Sequence, residues 1–338
     1  MTSPQDARRR PRTLSIGGAT FDLFVRCGHR ILQEQGGQRS FLLPLGAKVP
    51  VDGIIGGCGG GAANTAVGFA RLGCDPCVSS VVADDEWGGA LLHTLQKEGV
   101  RTDCITVVEE ETTSFSIIFT TDDGERVIVY DAGTNQHLHD VTFDRERLKD
   151  VDWVYLNHLH ERSCVIADDL VAALGAAGAP RMTWNPGGSQ IRAGMNDAMN
   201  RALLGCTSLL LLNKEEALAF TGANTIDDAL RAVIAAGVRV ACVTDGKHGA
   251  VATDGKTLYR CPIAPATPVD ATGAGDAFGT GCSWALLTGH DLPTALQAGS
   301  INAASVVGVL GAQAGLLTDT EMRARLTDLH LAVDAAPF

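Results

Sequence analysis

No apolar stretch in the 338 residues approaches the ~20 positions that a bilayer-spanning helix needs. The longest candidate, Ser208–Leu212 with its flanks, suits a buried strand. Basic residues are also scarce: 27 Lys and Arg stand against 39 Asp and Glu, a net charge of −12. Nucleic-acid proteins normally show a basic balance, so no such partner is expected, although a local field can still hold a phosphorylated ligand. Internal repeats and low-complexity segments are missing. The first residues carry arginines but no long apolar segment before Leu14. They read as a disordered tail over 1–12, not a signal peptide, and a cytoplasmic protein without membrane contact is expected.

A disulfide framework is lacking too. The ten cysteines are scattered, mostly among apolar or small residues, which suits reduced, buried thiols in a long chain. Cys74 and Cys77 form a lone C-x-x-C without the second pair that a zinc site needs. His137/His139 and His158/His160 are H-x-H pairs whose rings would share a strand face. Neither has carboxylates or thiols at ligand spacing, so no metal centre is expected at either.

What is present is an ordinary globular composition, 45% hydrophobic and 20% charged. The length fits two domains or one large α/β domain. Strand-like runs such as Leu14–Gly17, Cys77–Val82, Val151–Leu156, Arg181–Trp184, Leu209–Leu212 and Arg239–Thr244 alternate with helical ones. That alternation predicts βαβ units and a mostly parallel sheet. Two stretches break the rhythm. Residues 22–52 mix polar and apolar positions with Gly and Pro, and residues 113–130 form two alternating runs around Asp123-Gly124, a hairpin signal. A β lid over a site and a plain extension of the sheet edge both fit.

Three glycine motifs compete for a phosphate. Gly57–Ala62 formally fits the dinucleotide fingerprint, but the stretch before it is short and a lone fingerprint is weak. Gly255-Lys256-Thr257 ends like a Walker A loop, but its upstream glycine is out of register and its surroundings read as a hairpin. The third is Val269–Gly281, VDATGAGDAFGTG. There Gly273, Ala274 and Gly275 open a helix, where backbone N–H groups and the helix dipole attract an anion. Asp276 stands at the same place and repels one. It is either a general base beside a phosphoryl group in transit, with the N–H groups stabilising charge, or only a helix cap. Composition and spacing leave both open.

The stretch Asp270–Asp276, DATGAGD, resembles the C-terminal signature of the ribokinase-like, PfkB-family carbohydrate kinases. Gly59–Asn64, running on to Gly73, resembles the N-terminal signature. The similarity extends from about Leu14 to Leu317. It implies a three-layer α/β/α ribokinase-like core over 13–338, with a β lid from about 22–52 and 113–135. It also implies an ATP-dependent kinase with Asp276 as base and the 273–275 N–H groups as charge stabiliser. By the same resemblance Asp22, Gly60, Gly61 and Asn64 hold the acceptor. Asn185, Asn213, Glu216, Thr244, Gly246 and Asn302 line the ATP and its Mg²⁺, with Glu216 reaching the metal through water. Asp270 and Thr272 are candidates for a monovalent cation such as K⁺. Ala271 departs from the residue usual after the first aspartate, which leaves the backbone role intact. The acceptor is a small sugar, or alternatively a nucleoside, with Phe41, Phe115 or Phe119 as a stacking residue. The family allows a homodimer. A non-catalytic sensor and an NAD-dependent enzyme are the readings from other classes.

Overall fold

The computed structural model describes residues 9–28, 31–35, 38–121, 126–140, 145–160 and 166–338. Its first half contains β1 (Arg12–Ile16), β2 (Thr20–Arg26), β3 (Leu32–Gln35), β4 (Gln38–Phe41), β5 (Gly53–Gly59), α1 (Gly61–Arg71), β6 (Asp75–Ala83), α2 (Glu86–Lys97), β7 (Ile105–Val108), β8 (Phe115–Thr120) and β9 (Arg126–Asp131). Then follow β10 (Trp153–Leu156), α3 (Ile166–Leu174), β11 (Arg181–Trp184), α4 (Gly188–Ala193), α5 (Ala198–Cys206), β12 (Leu209–Asn213), α6 (Lys214–Thr221) and α7 (Ile226–Ala235). The last third holds β13 (Val240–Thr244), β14 (Ala250–Thr253), β15 (Thr257–Cys261), α8 (Ala274–Leu287), α9 (Leu292–Val307), α10 (Asp319–Asp328) and β16 (Asp334–Pro337).

Ten strands form one sheet in the order β16-β15-β14-β13-β12-β11-β10-β1-β6-β7. From β12 and β13 through β10 and β1 to β7 the pairs are parallel, while β14, β15 and β16 add antiparallel strands at one edge. Strands covered on both faces must be apolar on both, and they are: β10 and residues 209–212 of β12 are buried throughout. Alternation sorts their side chains. Val154, Leu156, Leu210 and Leu212 enter one core cluster with residues of α3, α5, α6 and α7. Trp153, Tyr155, Leu209 and Leu211 enter the opposite cluster with residues of α8, α9 and α10. This is a mixed α/β fold with helices on both faces. No helix among the described residues is long and apolar enough to cross a membrane.

The chain departs from β1 to β6 on one side and later to β10 on the other, so a topological switch lies between β1 and β10. In open α/β sheets ligands bind outside the strand C-termini at such a switch.

A second sheet has the order β5-β2-β8-β9. Asp22 pairs with Gly57 and Ser116, and Ser116 pairs with Tyr130. The short stretch before the Gly57–Ala62 motif is part of a longer strand, Gly53–Gly59, that pairs along all of β2. Its GIIGGCG sequence carries little apolar patterning, so backbone pairing, not side-chain burial, makes it a strand. This placement also removes the dinucleotide reading of Gly57–Ala62, because the strand belongs to the antiparallel part of the second sheet. The Asp123-Gly124 turn lies outside the described residues. One face of the sheet buries Val25, Cys27 and Ile31 against Phe41, Val49, Val51, Ile117 and Phe119.

Phe41 and Phe119 therefore pack on each other, centroids 6.3 Å apart. Phe115 stacks on Phe21 at 5.9 Å and meets Trp87 at 5.1 Å. All three candidate stacking phenylalanines are half-buried and packed on other rings.

Of the tail over 1–12, residues 1–8 lie outside the described residues, while Arg9 pairs with Asp152 at 2.9 Å and Arg12 begins β1. Lys256 lies between the paired strands β14 and β15, where Asp254 Oδ1 accepts from its N–H. Cys74 and Cys77 enter clusters on opposite sheet faces and do not pair. Among the described residues neither H-x-H pair forms a metal-binding group.

Candidate active site

Strand ends build the floor. Asn157 follows β10, Asn185 follows β11, Asn213 closes β12 and Thr244 closes β13. Opposite them stands the start of α8. Gly273 is its N-cap with φ 76°, a left-handed conformation that glycine adopts without penalty. A Cβ there would also stand 2.6 Å from the Ala312 Cβ. Gly275 and Asp276 are the second and third helical residues, whose N–H groups lack intrahelical acceptors. The Ala274 N–H is turned back to the Ala271 carbonyl at 3.3 Å. Of the N–H groups at 273–275, that of Ala274 is therefore turned away from the cradle.

Asp276 does not cap its helix. Its Oδ2 accepts a hydrogen bond from Asn64 Nδ2 at 2.7 Å. Asn64 lies in the first turn of α1, which Gly60 opens with φ 86°. Gln313 Nε2 donates to the other end of Asn64 at 3.0 Å, which orients the amide. Asp276 is half-buried, and desolvation raises its pKa to about 6 against the opposing Asn64 bond. The carboxyl is thus poised near neutrality, where a general base works best.

Asp22 projects from β2 and is 7% exposed. Burial, with the Asp270 carboxylate adding, raises its pKa to about 6, while Ser116 opposes with a hydrogen bond. Asn157 is buried, donating to the Ile16 carbonyl and to Thr65 Oγ1. Its Oδ1 has no partner and lies where a Cβ on Gly61 would be 2.8 Å away. Asp22, Gly60, Gly61, Asn64 and Asp276 are thus gathered at the α1–α8 contact, beside an orphaned acceptor.

On the other side of α8 opens a cavity of about 360 Å³ whose walls include Thr244, Gly246, Ala250, Phe278, Ala304 and Val307. It is mostly apolar and long enough to touch Ala274 and Gly275 at one end. Asn302, expected beside the adenine, is not in it. The residue is fully buried, donating to the Ala277 carbonyl at 2.8 Å and accepting from the Leu317 N–H at 3.2 Å. Its side chain braces α8 and the chain before α10. On that helix Ala303 and Ala304 face the cavity instead.

Asn213 and Glu216 form a reciprocal capping box: Asn213 N–H donates to Glu216 Oε2 at 2.9 Å and Glu216 N–H to Asn213 Oδ1 at 2.8 Å. Burial raises the pKa of Glu216. Its second carboxylate oxygen is left for other partners. One outer carboxylate suits Mg²⁺, which keeps several waters and takes phosphate oxygens, so the residues fit that ion. Asn185 donates to the Leu211 carbonyl at 3.0 Å, which leaves its oxygen at the strand end.

Asp270 and Thr272, the candidates for a monovalent cation, hold the turn before α8 together. The Asp270 Oδ1 accepts from Thr272 N–H at 3.0 Å and Thr272 Oγ1 at 2.7 Å, and its Oδ2 from Gly311 N–H at 3.0 Å. Arg126 Nη1 of β9 stands 3.6 Å from Oδ1. Both oxygens of Asp270 and the Thr272 hydroxyl hydrogen take part in fixing the turn.

Four contributors escaped the sequence reading: Asn157, Gln313, Ser116 and Arg126. The rule that flags strand ends picks out Asn157 as readily as Asn185. Nothing local marks Gln313 or Arg126, whose partners are far away in the chain.

A switch-point cleft, a helix-start cradle and a half-buried carboxylate suit a phosphotransferase. A family description, "pfkB family carbohydrate kinase", matches residues 51–319, and the chain belongs to that family. It is 29% identical to the ribokinase of Bacillus subtilis over 270 residues, 80% of this chain and 87% of that one. It is 30% identical to the fructokinase of Klebsiella pneumoniae over 274 residues, 76% and 84% of the two chains. Arabidopsis thaliana ribokinase complexed with ribose and ATP has the same fold, at TM-score 0.78, 23% identity and coverage of 94% and 99%. So does Burkholderia thailandensis nucleoside kinase in complex with inosine, at TM-score 0.77, 20% identity and coverage of 94% and 98%. The chain is an ATP-dependent kinase for a sugar-like substrate.

Proposed function

We propose that this kinase transfers the γ-phosphoryl group of ATP to a primary hydroxyl of a sugar or sugar-containing small molecule, with Asp276 as general base. One observation carries the reading: Asp276 sits on the first turn of α8 between the acceptor residues and the cavity, held by Asn64 at 2.7 Å. Asp276 takes the proton of the acceptor hydroxyl as its oxygen bonds to phosphorus. The bond from that phosphorus to the bridging oxygen breaks, and ADP leaves. The N–H groups at the start of α8 face the charge that develops, a contribution of roughly 3–4 kcal/mol per donor in comparable holes. Asp22 and the Asn157 Oδ1 accept hydrogen bonds from acceptor hydroxyls. Glu216 would hold a magnesium ion through water, and that ion, bound with the nucleotide, would neutralise phosphate charge. The β5-β2-β8-β9 sheet serves as a lid that keeps water from competing.

A nucleoside as acceptor is favoured by one further observation. Tyr130 occupies the same cross-strand row as Ser116 and Asp22, so by alternation it shares their face of the sheet. It is 71% exposed, as a ring awaiting a base would be. ADP release measured with a panel of free pentoses, hexoses and nucleosides decides between them. Turnover of nucleosides that falls at least tenfold in Tyr130→Ala supports the second reading, and turnover of free sugars unchanged in that variant supports the first. No ADP release with any of these acceptors overturns both.

A further inference from the structure

Two thiols lie in contact far from the phosphoryl-transfer site. Cys77, near the N-terminal end of β6, has its Sγ 2.9 Å from the Sγ of Cys104, just before β7. Cys77 is buried and Cys104 half-buried. Arg147 Nη1 lies 2.8 Å from the Cys104 Sγ and 3.2 Å from Asp103 Oδ2. Asp103 Oδ1 is 3.6 Å from the Cys77 Sγ. All nine described cysteines are free.

The group Cys77, Asp103 and Cys104 also has the makings of a metal site, but two details oppose one. Thiolates bound about 2.3 Å from a tetrahedral zinc stand roughly 3.8 Å apart, wider than this pair. A guanidinium already occupies the outer side of Cys104 and Asp103, where a metal cation would be repelled.

We propose that Cys77 and Cys104 form a redox-active dithiol that closes to an intramolecular disulfide, with Cys104 as the attacking thiolate and Cys77 as the resolving thiol. The hydrogen bond from the Cys77 thiol and the nearby Arg147 hold Cys104 below the usual thiol range, and thiolate character with access selects the sulfur that reacts. With hydrogen peroxide as oxidant, the Cys104 thiolate attacks one peroxide oxygen. The O–O bond breaks, hydroxide leaves, and Cys104 becomes a sulfenic acid. The Cys77 sulfur then attacks the Cys104 sulfur, an S–S bond forms, and water leaves with the thiol proton. Together the two thiols lose two electrons and two protons. A disulfide needs an S–S distance of 2.03–2.05 Å, so the closing movement is about 1 Å. The new bond staples the β6–α2–β7 crossover at the sheet end remote from Asp276.

The experiment uses the full chain, reduced and then titrated with hydrogen peroxide, alkylated and mapped by mass spectrometry. A cross-linked peptide pair containing Cys77 and Cys104 is expected, reversed by dithiothreitol. In Cys77→Ser, a sulfenic acid at Cys104 should be trapped by dimedone. In Arg147→Ala, cross-linking should slow by about tenfold while thiols elsewhere react at the wild-type rate, a split that general unfolding does not give. The oxidised protein should melt about 5 °C higher than the reduced. Both thiols remaining alkylatable, a disulfide between other cysteines, a fall in melting temperature on cross-linking, or zinc copurifying and lost in Cys104→Ser would each overturn the proposal.

Discussion

Asp276 combines two opposed demands. A charge moved out of water is costly, yet a base must be charged to accept a proton. The compromise is a pKa raised to about 6, ionised at neutral pH but without much to spare. Asp276→Asn keeps the shape and the Asn64 neighbour while removing the basic lone pair. Turnover is expected to fall by about 10²–10⁴-fold, with ATP affinity by calorimetry nearly unchanged; turnover within a few-fold of wild type would sink the base assignment. The linkage sign is also defined. Between the unfolded value of 3.8 and the folded value of about 6, the native state binds more protons than the unfolded one. This group's contribution to stability therefore falls as pH rises through that window. Asp22 behaves alike, its pKa also raised to about 6 by burial. Asp276→Asn should consequently melt higher than wild type at pH 7.5 although it is inactive, a trade of stability against function. The same pKa sets an acid limb in turnover near pH 6, losing about tenfold per unit below it. Removing the Asn64 amide, which lowers the Asp276 pKa, should move the limb to higher pH in Asn64→Ala.

At the scale of elements, function hangs on two helix starts, α1 and α8, that face each other. The start of α8 was legible because Gly273, Gly275 and Asp276 are adjacent and their chemistry is local. The same holds for Asn213-x-x-Glu216, a capping box in any helix. Asn302 shows the limit. Its position in α9 was right for the cavity, but rotation about the helix axis decides what a side chain meets, and neighbouring Ala303 and Ala304 took the cavity face. Strand β5 was illegible for the opposite reason: a run of glycines has no period, and only β2 supplies its pairing. Asn302→Ala tests the reassignment. It removes the extra hydrogen bond to the Ala277 carbonyl, which keeps its helical partner in α8, and leaves the Leu317 N–H unpartnered in the core, a cost of about 1–3 kcal/mol. A melting temperature several degrees lower is expected, with the KM for ATP within about threefold of wild type once the protein is folded. A KM raised tenfold at unchanged stability would return Asn302 to the nucleotide.

Across the whole molecule, the two sheets must act together. The large sheet carries the cradle and the base, while the small one carries Asp22, so the acceptor residues are complete only when β2 lies against α1 and α8. Phe21 and Phe115 pack on Trp87 of α2, Phe24 of β2 approaches Gly311, and Arg126 of β9 reaches Asp270 at 3.6 Å. Asp270 is 4% exposed and holds three hydrogen bonds of its own, so it stays satisfied without the arginine. Arg126 is about one-third exposed, which screens the pair and limits it to about 1 kcal/mol. That is enough to bias the position of the small sheet without locking it. Arg126→Ala should therefore raise the acceptor KM by about fivefold, the equivalent of that energy, while ATP affinity and melting temperature stay near wild type. Salt supplies the control. Ionic strength weakens the wild-type ion pair, so the wild-type acceptor KM should climb toward that of the variant as salt is added, whereas the variant's should stay flat. Parallel salt curves for the two proteins would mean that Arg126 does not couple the sheets and that Phe24 and its neighbours do so alone.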